Sequence, residues 1–215
     1  CFAFNESAKI AKNKYLVLAH DDMYFCPRWD TVFLDELKKI KVEDFFISGT
    51  MVQNFKSYIY LDCGNSHINF NEDKLLKELP KIKFNNFQGS HWQPSLVPLT
   101  TWNKVGGFSM EFSPGLGSDP DFSMKLWKIG VRLFKGLGSC RVYHFSSISL
   151  RKKAWNNGAK TFLLKWGISI KFFKKHYLRS DTIFNNNLKE PVKNFNYFFE
   201  LLICKIKLFY LKLLN

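Results

Sequence analysis

Apolar residues recur in the first part of the chain with two different spacings, which predict alternating helices and strands. The apolar runs at 15–19 and 45–49 predict two buried strands. Between them, apolar residues recur at helical spacing over 32–40, behind Asp30, whose side chain can cap a helix. A weaker helical pattern covers 5–13. Helices that alternate with buried strands are typical of the α/β class.

The middle of the chain is less regular. Loose alternation over 55–71, with a turn at 62–65, predicts a short hairpin, and a short helix is predicted over 72–79. The stretch 87–94 is rich in aromatic and polar residues and has no periodicity. Loops of this composition are more often functional than structural, so 87–94 is a candidate functional loop.

Two more helices and two more strands are predicted before residue 146. One short helix, capped by threonine at 100–101, is predicted to end at the glycines 106–107, and another is predicted to begin at 119–121. Strands are predicted over 131–135 and 139–145. These elements extend the α/β pattern to the end of a first domain, 1–146.

The last part of the chain, 147–215, differs in character and is predicted to be a helical extension. It contains a long basic helical stretch at 151–178, a polar linker at 180–190 and a strongly apolar segment at 195–214. The sequence therefore predicts two units, a 1–146 domain and a 147–215 extension.

Charge is distributed unevenly between these two parts. The 215-residue chain has a formal net charge of +14 and is 46% hydrophobic, which is ample for a buried core. Residues 1–144 hold 18 Lys and Arg against 15 Asp and Glu, whereas 145–215 hold 14 against 3. A fold that binds nucleic acid would spread positive charge over one face of the whole domain, and no nucleic-acid motif is present. No nucleic-acid partner is expected.

The apolar segment at 195–214 is interrupted by charges. Glu200, Lys205, Lys207 and Lys212 are too many for a comfortable membrane-spanning helix. An interfacial helix, held with the basic stretch on the anionic inner face of a cell membrane, fits the composition. A core or dimer helix is the alternative.

The cysteines and the first residues of the chain indicate the cellular compartment in which the protein is expected. The five cysteines are widely spaced and form no CxxC pair, so reduced thiols in a cytoplasmic protein are expected rather than a zinc site or disulfide framework. The first residues show no signal-peptide pattern, and the chain begins with Cys1. We therefore expect a piece of a longer cytoplasmic protein.

An acidic pair follows directly after the first predicted strand. Asp21 and Asp22 would lie at the carboxyl end of that strand, where open α/β sheets bind their ligands. Carboxylate oxygens suit Mg²⁺ or Mn²⁺, which bridge nucleotide phosphates. The alternative is a solvated turn in which one of the two side chains caps the following segment.

Four stretches, taken in order, resemble the family 2 glycosyltransferases of the GT-A fold: Asn5 to Trp29, 105–108 (VGGF), 117–122 (GSDPDF) and 142–144 (VYH). The resemblance implies a Rossmann-like GT-A fold lacking its first β-α-β portion. It also implies inverting, hexosyltransferase-type transfer from a nucleotide-diphosphate sugar to a saccharide or lipid-linked saccharide, in surface polysaccharide synthesis. Recognition of the donor base would fall in the missing portion, so we expect this chain alone to be inactive.

The resemblance also implies a metal and donor site. Asp22 matches the direct ligand of Mn²⁺ or Mg²⁺, with Asp21 beside it on the donor, and His144 matches the late histidine that completes the metal site in some members. His20 stands where many members carry an acidic residue, and it can bind the metal or the donor ribose. For both histidines, a structural hydrogen-bonding role is the alternative.

In the resembling enzymes the catalytic base lies just ahead of a helix, which here is Asp119, with Asp121 as the fallback. Inverting transfer needs a carboxylate to take the proton from the acceptor hydroxyl. The alternative is an N-cap, because Pro120 follows at the first helical position. Many members carry Glu where this chain has Ser118.

Glycines and tryptophans complete the expected site. Gly106 and Gly107 match a segment that borders the donor sugar; the alternative is a helix C-cap before a core Phe108, and the two are compatible. Trp92 and Trp102 are candidates for stacking on the acceptor, with a core position as the alternative, favoured for Trp102.

A catalytically degenerate, transferase-like binding or scaffold protein at the membrane is the other hypothesis. His20 and Ser118, which depart from the family pattern, favour it.

Overall fold

The chain folds around one mixed sheet, and the computed structural model describes residues 1–55, 59–145 and 156–213. Within these ranges the strands are β1 (Tyr15–Leu18), β2 (Met23–Phe25), β3 (Phe46–Gln53), β4 (Ile59–Tyr60), β5 (Phe87–Gln88), β6 (Ser95–Pro98) and β7 (Phe134–His144). The helices are α1 (Phe2–Ile10), α2 (Trp29–Leu37), α3 (Glu72–Glu78), α4 (Leu99–Val105), α5 (Ser118–Lys128), α6 (Gly158–Trp166), α7 (Ile170–Phe172, continued by a π-helical turn at Phe173–Leu178) and α8 (Phe195–Leu213). Short 3₁₀ turns lie at Leu79–Lys81 and Met110–Phe112. The α/β class is confirmed.

The order of strands in the sheet brings several strand ends to one edge. The order is β1-β6-β3-β7-β2, with β4 added to β3 and β5 to β7. β6 runs antiparallel to both β1 and β3, and β3 runs parallel to β7, so β1, β3 and β7 all point the same way. Their carboxyl ends and the amino end of β6 therefore share one edge of the sheet.

Helices cover both faces of the sheet because neighbouring strand residues point to opposite sides. In β3, Phe46 packs into the larger core cluster with Phe122 of α5, whereas Ile47 packs into a second cluster with Phe33 of α2. All four side chains are at most 2% exposed. Burying each contributes roughly 1.5–3 kcal/mol, which holds the sheet between two helical layers.

The extension packs against the same core as the rest of the chain. Phe162 of α6, Phe172 of α7 and Tyr197 of α8 belong to the larger cluster together with Phe134 of β7. Within the described residues, no helix is long and apolar enough to cross a membrane. The boundary between 1–146 and 147–215 stays a prediction, and the helices beyond it contribute to the common core.

Two predicted strand arrangements are wrong. Instead of a hairpin over 55–71, β4 pairs in parallel with the end of β3, with Val52 opposite Ile59; residues 56–58 lie outside the described residues. The strands predicted at 131–135 and 139–145 are one strand, because β3 pairs along β7 on both sides of an irregularity between Ser48 and Thr50. Local alternation does not encode either pairing.

Helix boundaries also differ from the prediction. The residue at the N-cap of α2 is Arg28, not Asp30, and that of α4 is Pro98; Thr101 is instead buried and donates to Asp44 at 2.5 Å. The long helix predicted over 151–178 is interrupted after α6 by Gly167, which has φ 70°, and residues 151–155 lie outside the described residues. The left-handed backbone at Gly167 ends the helix.

Gly136 of β7 lies against the Phe87 ring, and replacing this glycine tests how tightly the core is packed here. A Cβ atom at Gly136 would lie 2.0 Å from the Phe87 ring, whereas a Cβ at Gly115 would meet nothing within 4 Å. We expect Gly136→Ala to lower the free energy of unfolding by about 1–3 kcal/mol through overpacking. Gly115→Ala should change it by less than about 0.5 kcal/mol. Urea unfolding midpoints check this, and equal effects of the two substitutions would contradict it.

Candidate functional site at the carboxyl edge of the sheet

The shared edge of the sheet collects polar side chains from four strand ends. Asp22 follows β1, and Gln53 and His144 are the last residues of β3 and β7. Gln93 lies just before β6, which enters the sheet from the same edge because it runs antiparallel to its neighbours. This convergence brings together residues up to 122 positions apart in the sequence.

Asp22, His144 and Gln53 form one hydrogen-bonded chain. The Gln53 amide lies 2.6 Å from His144 Nδ1, and His144 Nε2 lies 3.2 Å from Asp22 Oδ2. An amide that donates to Nδ1 leaves the imidazole proton on Nε2, facing the carboxylate. The Asp22 and His144 side chains are 18% and 14% exposed, so this contact is more strongly held than a surface pair.

A second chain joins His20 to Asp119 through a glutamine. Gln93 Oε1 lies 3.1 Å from His20 Nε2, and the Gln93 amide donates to Asp119 Oδ1 at 2.8 Å. The rings of His20 and His144 meet edge to face with their centroids 6.4 Å apart. The two chains are therefore in contact, and Asp22 and Asp119 belong to one site.

Asp119 lies in the first turn of α5 and does not cap it. Gly117 occupies the N-cap position with φ 86°, and Ser118 donates to Gly115 O at 2.7 Å, closing the turn before the helix. Burial raises the pKa of the Asp119 carboxyl, while the hydrogen bond from Gln93 and the nearby His20 act in the opposite direction. The side chain is thus positioned for contacts outside its own helix.

Asp121 has a different environment from Asp119. Its side chain is fully buried, and Trp166 Nε1 and Lys165 Nζ lie 2.8 Å and 2.9 Å from Oδ1. Ser109 donates to Oδ2 at 2.6 Å. The contacts of Oδ1 tie α5 to α6, and Oδ2 is held by Ser109, so both oxygens of Asp121 are engaged in structural contacts.

Gly106 and Gly107 form the end of α4 and differ in their surroundings. Gly106 is exposed and a Cβ there would meet nothing within 4 Å, whereas Gly107 is buried. Gly106 is the C-cap of α4 with φ 70°, and a Cβ at Gly107 would lie 2.5 Å from Asn5 Oδ1 and 2.7 Å from the Trp102 ring. The Asn5 side chain also makes two hydrogen bonds to the backbone of Phe108: it donates to the carbonyl at 2.8 Å and accepts from the N–H at 2.9 Å. The close approach at Gly107 is therefore to the protein's own core.

The remaining predicted site residues are divided between core and surface. Trp102 is buried against Phe108 and Phe122, as the core alternative predicts. Trp92 is partly exposed and stacks on Phe87, with ring centroids 5.5 Å apart. Asp21 is exposed beside Asp22. Of the two tryptophans, Trp92 can offer part of its ring to a ligand.

The donor set for a cation consists of one carboxylate and one imidazole. Asp22 and His144 are close enough for both to reach one ion, and oxygen with imidazole nitrogen suits Mn²⁺. Among the described residues, no group of three or more His, Cys, Asp or Glu side chains is arranged to hold a metal ion. Asp22 and His144 would supply two ligands of a cation, and its remaining ligands would have to come from a bound phosphate or from water.

Gln53 and Gln93 were missed at the sequence level. Gln93 lies in the functional-loop candidate 87–94, which was the available signal, whereas Gln53 ends a strand and carries no local signal. Both connect other polar residues, so their importance depends on long-range pairing.

The five cysteines are free, and Cys26, Cys63, Cys140 and Cys204 are buried. Burial raises the pKa of Cys26 to about 12, so this thiol stays protonated at neutral pH. Buried, protonated thiols act as small core residues.

No protein-family model matches the chain, and no curated protein matches it. The geometry of the site and the pattern of residues that form it are therefore the basis for assigning a function.

A buried histidine beside the site makes stability depend on pH. His91 is 8% exposed, and burial, with the nearby Lys174, lowers its pKa to about 3. Between that value and the ordinary histidine pKa of about 6.5, the unfolded chain binds the extra proton, so stability falls as pH falls.

We expect this residue to make the free energy of unfolding fall by up to about 1.4 kcal/mol per pH unit between roughly pH 6 and pH 4. His91→Gln should flatten that slope, whereas His67→Gln at an exposed position should preserve it. Urea unfolding across this pH range measures both variants. An unchanged slope in His91→Gln would refute the assignment.

Proposed function

We propose that the chain carries the metal-binding and catalytic part of an inverting GT-A glycosyltransferase. The enzyme would transfer a sugar from a nucleotide-diphosphate sugar to a saccharide or lipid-linked saccharide in surface polysaccharide synthesis. The observation that carries the proposal is the connection of Asp119 through Gln93 to His20, in contact with the Asp22–His144 pair. A carboxylate base and a cation site within one polar cluster at a sheet edge are what this reaction requires.

Asp119 is the proposed catalytic base. It would take the proton of the acceptor hydroxyl as that oxygen forms its bond to the anomeric carbon, while the bond to the nucleotide diphosphate breaks and the diphosphate leaves with the electron pair. Burial raises the pKa of Asp119, which strengthens it as a base. Gln93 donates to Oδ1 at 2.8 Å, and Oδ2 would be the oxygen that takes the proton of the acceptor hydroxyl. Asp121, with both oxygens in structural contacts, receives no catalytic role.

Asp22 and His144 would hold Mn²⁺ or Mg²⁺. When bound, the cation would neutralise charge on the departing diphosphate. Gln53 holds the His144 ring through Nδ1, with Nε2 directed at Asp22 Oδ2. To bind a cation through Nε2, the ring would carry its proton on Nδ1, and the Gln53 side chain would turn so that its amide oxygen accepts that proton. Only two protein ligands are proposed, so cation affinity should depend on the donor.

His20 and Asp21 border the same cluster from the donor side. His20 is exposed and its Nε2 already faces the polar edge through Gln93, a position that suits a ribose or phosphate oxygen. Asp21 is exposed next to it. Trp92 is the proposed acceptor-stacking ring, and Trp102 is excluded from that role by its burial.

A degenerate, non-catalytic binding protein is the second candidate. Polar side chains of the site already have partners within the protein, which favours this candidate: Asp22 is paired with His144, and His20 is bonded to Gln93. Such contacts are expected where polar residues have a structural role. Activity with a panel of donors separates this candidate from the enzyme.

Replacing the proposed base tests the mechanism. In the full-length protein with Mn²⁺ and a panel of nucleotide sugars, Asp119→Asn should lower kcat about 10²- to 10⁴-fold with little change in donor KM, because the base acts on the acceptor. Asp73→Asn, at an exposed position on α3, is the matched control and should retain activity. No transfer or hydrolysis with any donor would support the binding protein instead, as would an unaffected Asp119→Asn.

Cation binding tests the metal assignment independently of turnover. We expect Mn²⁺ to bind weakly to the full-length protein alone and at least about tenfold more tightly with a nucleoside diphosphate, since phosphate oxygens complete the ligand set. Asp22→Asn should abolish this gain, whereas Asp62→Asn, at an exposed turn, should preserve it. Isothermal titration calorimetry measures both. Tight binding without the nucleotide, or a gain that survives Asp22→Asn, would contradict the assignment.

A further inference from the structure

Helix α8 has an apolar side that packs on the protein. Tyr197 and Cys204 are buried, and Leu201, Leu208 and Leu211 pack partly against the larger core cluster. At 100° per residue these positions fall on one side of the helix. The alternative of a core helix is therefore correct for this face.

The opposite side of α8 is also apolar, and it is exposed. Phe195 is 81% exposed, and Phe209 and Leu213 are 61% and 66% exposed. The whole outer face consists of Phe195, Phe198, Phe199, Leu202, Ile206, Phe209, Tyr210 and Leu213. A helix that only packs on a core carries polar residues on its solvent side. A continuous apolar surface of this kind marks an interaction site.

Lysines lie along both borders of this outer face. Lys205 and Lys212 fall on one border and Lys207 on the other, and all three are exposed. The one acidic residue of α8, Glu200, is bonded to Lys175 and His176, so its charge is compensated. Lysines at the border of an apolar face extend their ammonium groups to lipid phosphates while the apolar side chains enter the acyl region.

A groove beside α8 repeats this combination of apolar lining and positive charge. A cavity of about 550 Å³ between α6, α7 and α8 is lined by Leu163, Ile170 and Tyr210, and Lys160, Lys171 and Lys207 lie around it. A free phosphate ion would be bound by the lysines and would make no use of the apolar lining. A phospholipid, with an acyl chain beneath its phosphate, matches both.

We propose that the outer face of α8 and this groove form a docking surface for an anionic phospholipid bilayer. The positive charge of the extension favours an anionic bilayer, because 145–215 hold 14 Lys and Arg against 3 Asp and Glu. A second copy of the chain would bring the same positive charge to the same face. The inference rests on the extension alone and does not depend on the proposed transferase activity.

Vesicle sedimentation of the full-length protein tests the proposal. We expect binding to vesicles of phosphatidylcholine mixed with phosphatidylglycerol, weaker binding at high salt, and at least about tenfold weaker partition to phosphatidylcholine alone. Phe198→Ser with Phe209→Ser should lower partition at least about tenfold, since two exposed rings that would enter the acyl region of the bilayer are lost. Ile10→Ser with Ile68→Ser, which removes two exposed apolar side chains elsewhere, should leave it unchanged.

The groove is tested by replacing its lysines. Lys160→Gln, Lys171→Gln and Lys207→Gln together should remove most of the preference for anionic vesicles, whereas the same changes at the exposed Lys12, Lys38 and Lys77 should remove little. Sedimentation velocity without lipid gives the oligomeric state. A dimer that the Phe198/Phe209 variant dissociates, without vesicle binding, would overturn the proposal in favour of a second copy. Absence of vesicle binding, or binding that survives this variant, would also overturn it.

Discussion

The parallel pairing of β3 with β7 is the constraint on which the rest of the molecule depends. Its register sets Val52 opposite Tyr143, so the next residues, Gln53 and His144, end side by side and share a hydrogen bond of 2.6 Å. On the other side of β3, the antiparallel pairing of β6 with both β3 and β1 brings the ends of β1 and β6 to the same edge. Parallel pairing requires long connections, and here those connections supply the loop that carries Gln93 and the helix that carries Asp119.

Two carboxylates near the start of α5 point to different sides of the helix and have different roles, one structural and one proposed for catalysis. Asp119 and Asp121 are two positions apart, and such residues point to different sides of a helix. One therefore meets Gln93 at the sheet edge, where burial raises its pKa, and the other meets Lys165 and Trp166 of α6. The contact of Asp121 fixes the extension to the domain, and the contact of Asp119 leaves a base available for the proposed transfer.

The extension connects this site to the surface of the protein. α6 is held to α5 through Asp121, and α6 in turn packs with α8, whose inner face joins the common core. α8 is thus positioned by its inner residues, while its outer face remains exposed. If this face lies on a membrane, the proposed catalytic edge is held at a fixed distance from it, which suits a lipid-linked acceptor.

The sequence by itself determined the α/β class, the positions of β1 and of the start of β3, and the apolar helix α8, because each is encoded by local periodicity. The prediction that the first strand is buried was wrong, because β1 lies at one end of the strand order and its Val17 is 40% exposed. It also singled out the acidic pair at 21–22 as a candidate for chemistry. Only the tertiary structure decided which strands pair and that Asp119 contacts Gln93 instead of capping α5. These outcomes depend on contacts between residues far apart in the chain, and local patterns of polarity carry no information about such partners.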